Sequence, residues 1–97
     1  MLRHVVLLQL RADAHPDAVH ALVDALRALP AHIDAIDEYE VGTDAGLADD
    51  NAAVAVVAAF ADAEGWRTYQ DHPAHQEVLT EHVRPLVADR AAIQFEG

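Results

Sequence analysis

The chain has 97 residues, 17 acidic and 6 basic, for a formal charge of −11; 53% are hydrophobic and none is cysteine. This length and apolar content point to a single folded domain, residues 1–97, rather than a disordered chain. The acidity excludes nucleic acid and anionic membrane as partners, because the scattered cations offer no patch for phosphate.

Without cysteine there is no disulfide or thiolate chemistry, and a zinc site would need histidine and carboxylates alone. The chain opens on an apolar run, Leu2 to Leu10, that is too short to span a membrane and carries no signal-peptide pattern, so a cytoplasmic location is expected. From Arg3 to Leu10 that run reads as a strand. His4, Val6, Leu8 and Leu10 share one face; Arg3, Val5, Leu7 and Gln9 share the other. Both faces are apolar in the middle, which predicts a central strand covered on both sides.

Pro16 suits the first turn of a helix. Val19, Leu22, Val23, Leu26 and Leu29 then form one helical stripe, stopped near Pro30. Ile36 to Thr43 reads as a second strand, with Tyr39 and Val41 on one face and Glu38 and Glu40 on the other. Gly42 to Asp50 is a loop by its turn formers. Asn51 to Phe60 reads as a third strand, with Val54, Val56, Ala58 and Phe60 on one face.

Asp62 is placed to cap a short helix running to about Asp71, with Trp66 and Tyr69 on one side. Pro73 starts a second helical segment. Along it His75, Val78, Leu79, His82, Val83 and Leu86 fall on one stripe until Pro85 ends or bends it. Arg90 to Glu96 reads as the last strand.

The order β-α-β-β-α-β predicts an α+β domain of ferredoxin-like plan: a four-stranded antiparallel sheet in order 4-1-3-2, with the helices on one face. The other face would be bare. The apolar first strand says it is not solvated, and a second copy of the sheet is the simplest cover. An alanine-rich core would gain from such a homodimer.

Several of these segments resemble a known family. The opening Met1-Leu-Arg-His-Val-Val-Leu-Leu8, Leu29-Pro30-Ala31, Tyr39-Glu-Val-Gly42, and Tyr69 with His72-Pro-Ala-His75 are similar to the stress-responsive A/B barrel (Dabb) domain. The resemblance spans essentially the whole chain. It implies a ferredoxin-like monomer that dimerises sheet to sheet into an α+β barrel. The family includes plant stress-responsive proteins and a cofactor-free polyketide cyclase that performs an aldol cyclisation. In that cyclase branch the working pair is a tyrosine and the second histidine of the H-P-A-H element, which by position are Tyr69 and His75. His4 matches a further pocket histidine. Two departures make the pocket less polar: Val54 stands where the branch has a histidine, and Leu26 where it has a tyrosine.

The residues themselves support a related picture. His75 lies on an apolar stripe, so its ring is either satisfied inside the protein or faces a cavity holding water or ligand. A phenol and an imidazole converging on one cavity can take and return a proton at an enolisable carbon. His72 precedes proline and reads as a helix cap. The spacing His72-x-x-His75 has no third ligand, so no metal is expected. His4 lies at the cavity rim or at a strand edge. His82 is expected near the surface, and His15, His20 and His32 are expected to be solvated. There is no serine, no phosphate loop and no dinucleotide fingerprint, so no cofactor is expected.

The expected site is an apolar small-molecule pocket between sheet and helices. Its floor would come from Val6, Leu8, Val54, Val56 and Ala58. Its walls would come from Leu22, Val23, Leu26, Trp66, Val78, Leu79 and Leu86. Two functions fit. One is a cofactor-independent cyclase or isomerase acting on a hydrophobic, polyketide-like carbonyl compound, with His75 as base and Tyr69 as its partner. The other is a non-catalytic ligand-binding or stress-protective homodimer, for which the cavity would be filled and the His75 ring bonded within the protein.

Overall fold

In the computed structural model, which describes residues 1–97, the N-terminal apolar run forms β1 (Leu2–Leu10). β1 pairs antiparallel with β3 (Val54–Phe60) on one side and β4 (Val87–Glu96) on the other. β2 (Glu38–Thr43) pairs with β3, giving the sheet order β2-β3-β1-β4. This is the predicted order read from the opposite edge. The β-branched residues of β1 and β3 therefore sit in the two central strands, where both faces need apolar side chains.

Three helices lie on one face: α1 (Pro16–Arg27), α2 (Ala63–Asp71) and α3 (Pro73–Val78). The His15 side chain caps α1 by accepting from the Asp17 N–H. Arg27, in the last turn, donates to the Val41 carbonyl at 2.8 Å and so ties α1 to the edge strand β2. Past α1, a short 3₁₀ turn at Leu29–Ala31 sends Leu29 and then Ile33 inward, where each is about 1% exposed.

Some boundaries differ from the sequence reading. β2 starts at Glu38 because Ile36 closes a turn, its N–H bonding Ile33 O. β3 starts at Val54 rather than Asn51, and β4 starts three residues early, at Val87, which pairs with Leu10 across a bulge at Ala88 of β4. The helix after Pro73 is α-helical only to Val78. Leu79–Val83 then widens into a π turn, closed by Arg84 N–H to Leu79 O at 2.9 Å. Pro85 follows and contributes no N–H to carry the helix further.

The solid core lies under α1. Leu22, Val23 and Leu26 pack with Val41, Val54, Val56 and Phe60 from β2 and β3. Leu22 and Phe60 are fully buried. Each such side chain contributes roughly 1.5–3 kcal/mol by leaving water. The opposite sheet face carries no helix. Leu7, Ile93 and Phe95 stand exposed there, at 42%, 61% and 45%. On that face Arg3 reaches over from β1 to Glu38 of β2 at 2.9 Å, an ion pair at the edge of the apolar strip.

Candidate functional site

The helix-covered face is not filled throughout. Towards β4 the helices stop short, and a cavity of about 500 Å³ opens between β1 and the α2–α3 joint. His4, Val6 and Leu8 of β1 and Val56 of β3 line it from the sheet, and Leu26 from α1. Trp66, Tyr69 and Gln70 come from α2, and His75 and Gln76 from α3. The π turn and the residues beyond it bring Leu79, Val83 and Arg84, and β4 brings Arg90. A π turn has a wider radius than an α turn, and such turns recur at functional sites.

Two side-chain caps build the α2–α3 joint. The Asp62 carboxylate accepts from the Gly65 N–H at 3.0 Å and starts α2. At the joint, His72 has extended backbone (φ −63°, ψ 136°), as the residue before proline prefers, and its Nδ1 accepts from the Ala74 N–H at 3.0 Å. His72 is thus a structural cap and does not line the cavity. The break it makes lets Tyr69 and His75, on different helices, meet in a tilted ring contact. Their ring centres are 4.2 Å apart at 37°.

His75 has a defined proton. Its Nδ1 lies 3.1 Å from the Gln70 carbonyl oxygen, which can only accept, so Nδ1 carries the hydrogen. In the neutral ring Nε2 then holds a free lone pair, and no protein group bonds to it. Burial lowers the His75 pKa from the ordinary histidine value. The Gln70 bond works the other way, while Arg90 and His72 add smaller downward pushes. The imidazole is therefore neutral and basic at pH 7.

The Tyr69 hydroxyl lies 3.0 Å from that of Tyr39, and either can donate. When Tyr39 donates, the Tyr69 hydrogen is free for another acceptor. Burial raises the Tyr69 pKa, against smaller lowering effects from the Tyr39 bond and from Arg90; burial also raises that of Tyr39. Both stay neutral phenols at physiological pH. Tyr69 is 4% exposed and packs on Phe60, with centroids 5.2 Å apart, which fixes its ring.

His4 is the complement of His75. The Gln94 amide nitrogen lies 3.0 Å from His4 Nδ1 and donates to it, so the His4 proton sits on Nε2. Burial lowers its pKa, with further lowering from Arg90 and His75. One neutral imidazole thus offers an N–H and the other a lone pair. Beside His4, at 6.1 Å between ring centres, lies Trp66, whose indole N–H is buried without a partner. No three histidine, cysteine or carboxylate side chains converge anywhere in the chain in a way that could hold a metal ion.

Of the residues expected from the sequence, His4, Val6, Leu8, Leu26, Val56, Trp66, Tyr69, His75 and Leu79 line this one cavity. The others do not. Leu22, Val23, Val54, Ala58 and Val78 belong to the solid core, and Leu86 packs against it. The reason is geometric. Helical and strand periodicity reports which side of an element is buried, but not whether the space beyond it holds atoms or a void. Gln70, Gln76, Val83, Arg84 and Arg90 also line the cavity and were missed as site residues. Arg90 reaches it because β4 pairs with β1 so that Arg90 stands opposite Leu8. Tyr39 was missed as the Tyr69 partner, although its position on the face of Val41 was the available signal.

The family model of the Stress responsive A/B Barrel Domain matches residues 2–96. Among solved structures, a dimeric ferredoxin-like protein of unknown function from Thermobifida fusca is 41% identical. The match covers 99% of this chain and 90% of that one, with a TM-score of 0.91. A Dabb family protein from Mesorhizobium loti, also with a ferredoxin-like fold, is 25% identical over 99% and 95% of the two chains, at a TM-score of 0.81. A hydroxynitrile lyase from Passiflora edulis is 16% identical over 97% and 90%, at 0.84, a likeness of fold alone. None of the functionally curated proteins matches. The match across nearly the whole length, with the ferredoxin-like sheet order and the Tyr69/His75 joint, places this chain in the stress-responsive A/B barrel (Dabb) family.

Proposed function

We propose that the protein is a cofactor-independent enzyme that moves a proton next to a carbonyl group in a hydrophobic small molecule, as in cyclisation or isomerisation of a polyketide-like compound. One observation carries the reading. His75 is held by its Nδ1–H on Gln70 O and by the Tyr69 ring, and its basic Nε2 is left bare in a cavity of about 500 Å³. A neutral, oriented imidazole with a lowered pKa is suited to act as a general base near neutral pH. His75 Nε2 would take the proton from the carbon beside the carbonyl. The electron pair of that C–H bond moves into an enolate, and the proton returns from His75 to the product. Hydrogen bonds from the Tyr69 hydroxyl and His4 Nε2–H would hold the developing enolate oxygen.

The working unit in this reading is a homodimer joined through the bare sheet face. Leu7, Ile93 and Phe95 are exposed there together, and the Thermobifida fusca relative is described as dimeric. The non-catalytic alternative expects a filled cavity and a His75 ring bonded within the protein; the Nδ1 bond to Gln70 O meets the second expectation, while the open volume and the unpartnered Nε2 favour the enzyme.

The test needs no natural substrate. Deuterium exchange at the α-carbon of hydrophobic β-diketones, followed by NMR in D₂O, should be accelerated by the protein. His75→Ala should lower that acceleration by about 10²–10⁴-fold, the usual worth of a positioned base, and Tyr69→Phe should lower it by a smaller factor. Exchange that His75→Ala leaves untouched would sink the assignment.

A further inference from the structure

The cavity has a charge that the rest of the protein lacks. The chain carries 17 acidic residues against six arginines and no lysine. Yet no aspartate or glutamate lines the cavity, while two of the six arginines, Arg84 and Arg90, do. Of the other four, Arg3 pairs with Glu38, Arg11 with Asp13, and Arg27 with the Val41 carbonyl, while Arg67 lies on α2 outside the cavity lining. Arg84 donates only to the Thr80 hydroxyl, and the Arg90 side chain has no hydrogen-bond or ion-pair partner. In so acidic a chain, two guanidinium groups without carboxylates at one apolar hollow are a local inversion of the surface field.

Their placement is orderly. Arg90 stands on β4 across from Leu8, and two pairs further along the same face Gln94 stands across from His4. The helices leave β4 uncovered, so the Arg90 guanidinium sits at the open end, where an ionic group keeps its hydration. The deeper lining is apolar: Val6, Leu8, Val56 and Leu79. Beside the bare His75 Nε2, which accepts, the neutral His4 ring offers its Nε2–H as a donor. Together with the two guanidinium groups, this suits a ligand that carries oxygen acceptors.

We infer that the cavity takes amphipathic organic anions, with the apolar body against β1 and the π turn and a carboxylate held by Arg90 with Arg84. This rests on the cavity being a ligand site and specifies what that site accepts. A carboxylate fits better than a phosphate monoester. No glycine lines the cavity, and at the start of α3 Pro73 has no N–H and the Ala74 N–H is taken by His72, whereas phosphate sites draw on clustered free backbone N–H groups. The planar fork of arginine matches a carboxylate in two parallel hydrogen bonds. Arg90 also lowers the pKa of His75 and of His4. A bound carboxylate would offset that push and raise both.

Trp66 is the chain's one tryptophan and lines the cavity, so its fluorescence reads occupancy directly. Octanoate, octanol and octyl phosphate would be titrated at low ionic strength, with calorimetry alongside. Octanoate should bind at least about tenfold more tightly than octanol, as a charge-assisted hydrogen bond implies. Arg90→Gln, and more fully Arg84→Gln with Arg90→Gln, should bring octanoate down to the octanol level while octanol binding stays the same. Unchanged octanol binding also shows that the variants are folded. Equal binding of acid and alcohol to the wild type would overturn the anion preference and leave the ligand-site reading standing. Tighter binding of octyl phosphate than of octanoate would overturn the carboxylate assignment. No binding of any of the three would overturn both.

Discussion

The two halves of the helix-covered sheet face are built from the same kinds of element and end differently. Under α1 the space is full: Leu22, Val23, Leu29, Ile33 and Phe60 close on β2 and β3, all at 5% exposure or less. Over β1 and β4 the helices are shorter, broken at Pro73 and widened at Leu79–Val83, and the space is hollow. The polar groups follow the hollow. His4, Tyr69, His75, Gln70, Gln76, Arg84 and Arg90 all border it. A filled core has no room for the partners that buried imidazoles and phenols require, while a cavity supplies water or ligand. The broken helix is therefore what separates a packed region from a hollow one bordered by polar groups.

The sharpest way to break this contrast is a pair of matched truncations. Leu22→Ala should destabilise the protein by about 2–5 kcal/mol, because it opens a void in the filled half. Leu79→Ala borders a void that already exists and should cost about 1 kcal/mol. Urea unfolding of both variants checks this, and equal losses would mean that the two halves are packed alike.

The next test concerns the uncovered face. Ile93→Asp with Phe95→Asp puts charge into the exposed apolar strip and should convert a dimer to a monomer in analytical ultracentrifugation. A variant that stays dimeric would place the interface elsewhere.

A smaller effect compares the two caps. Asp62→Ala and His72→Ala should each cost about 1 kcal/mol by leaving a helix N–H unbonded. Only His72→Ala loosens the joint that sets His75 against Tyr69, so it alone should also weaken α-proton exchange. If both caps changed exchange equally, the joint would have no special part in positioning His75.

The smallest effect is that of pH. His4 and His75 both have folded pKa values below that of an unfolded histidine, about 6.5. The unfolded chain therefore binds protons that the folded one does not as pH falls below about 6.5, and stability declines until the folded pKa values are passed. The melting temperature should fall by a few degrees, roughly, between pH 7 and pH 5. His75→Gln should flatten part of that slope. Exchange activity should fall along the same acid limb, since the protonated ring is no base.

Much of this protein is legible from residue order. The apolar alternation in Arg3 to Leu10, the stripe from Val19 to Leu29, and prolines at 16 and 73 are local signals, so the α+β plan, the sheet order and the broken second helix follow from them. His72 was readable as a cap because proline constrains the residue before it. The family likeness of the Tyr69–His75 element was readable for the same reason, as a short contiguous pattern. What lines the cavity was not. Leu22 and Leu26 lie on one stripe of α1, yet the first is sealed in the core and the second borders the cavity. Arg90 and Gln94 become site residues only through pairing with β1, more than 80 positions away. Sequence by itself determined the elements, their order and the hydrophobic face of each, because those depend on neighbours a few residues apart. Only the tertiary structure decided where the packing fails to close, which nitrogen of His75 is free, and which charges border the hollow, because each depends on groups that folding brings together from distant parts of the chain.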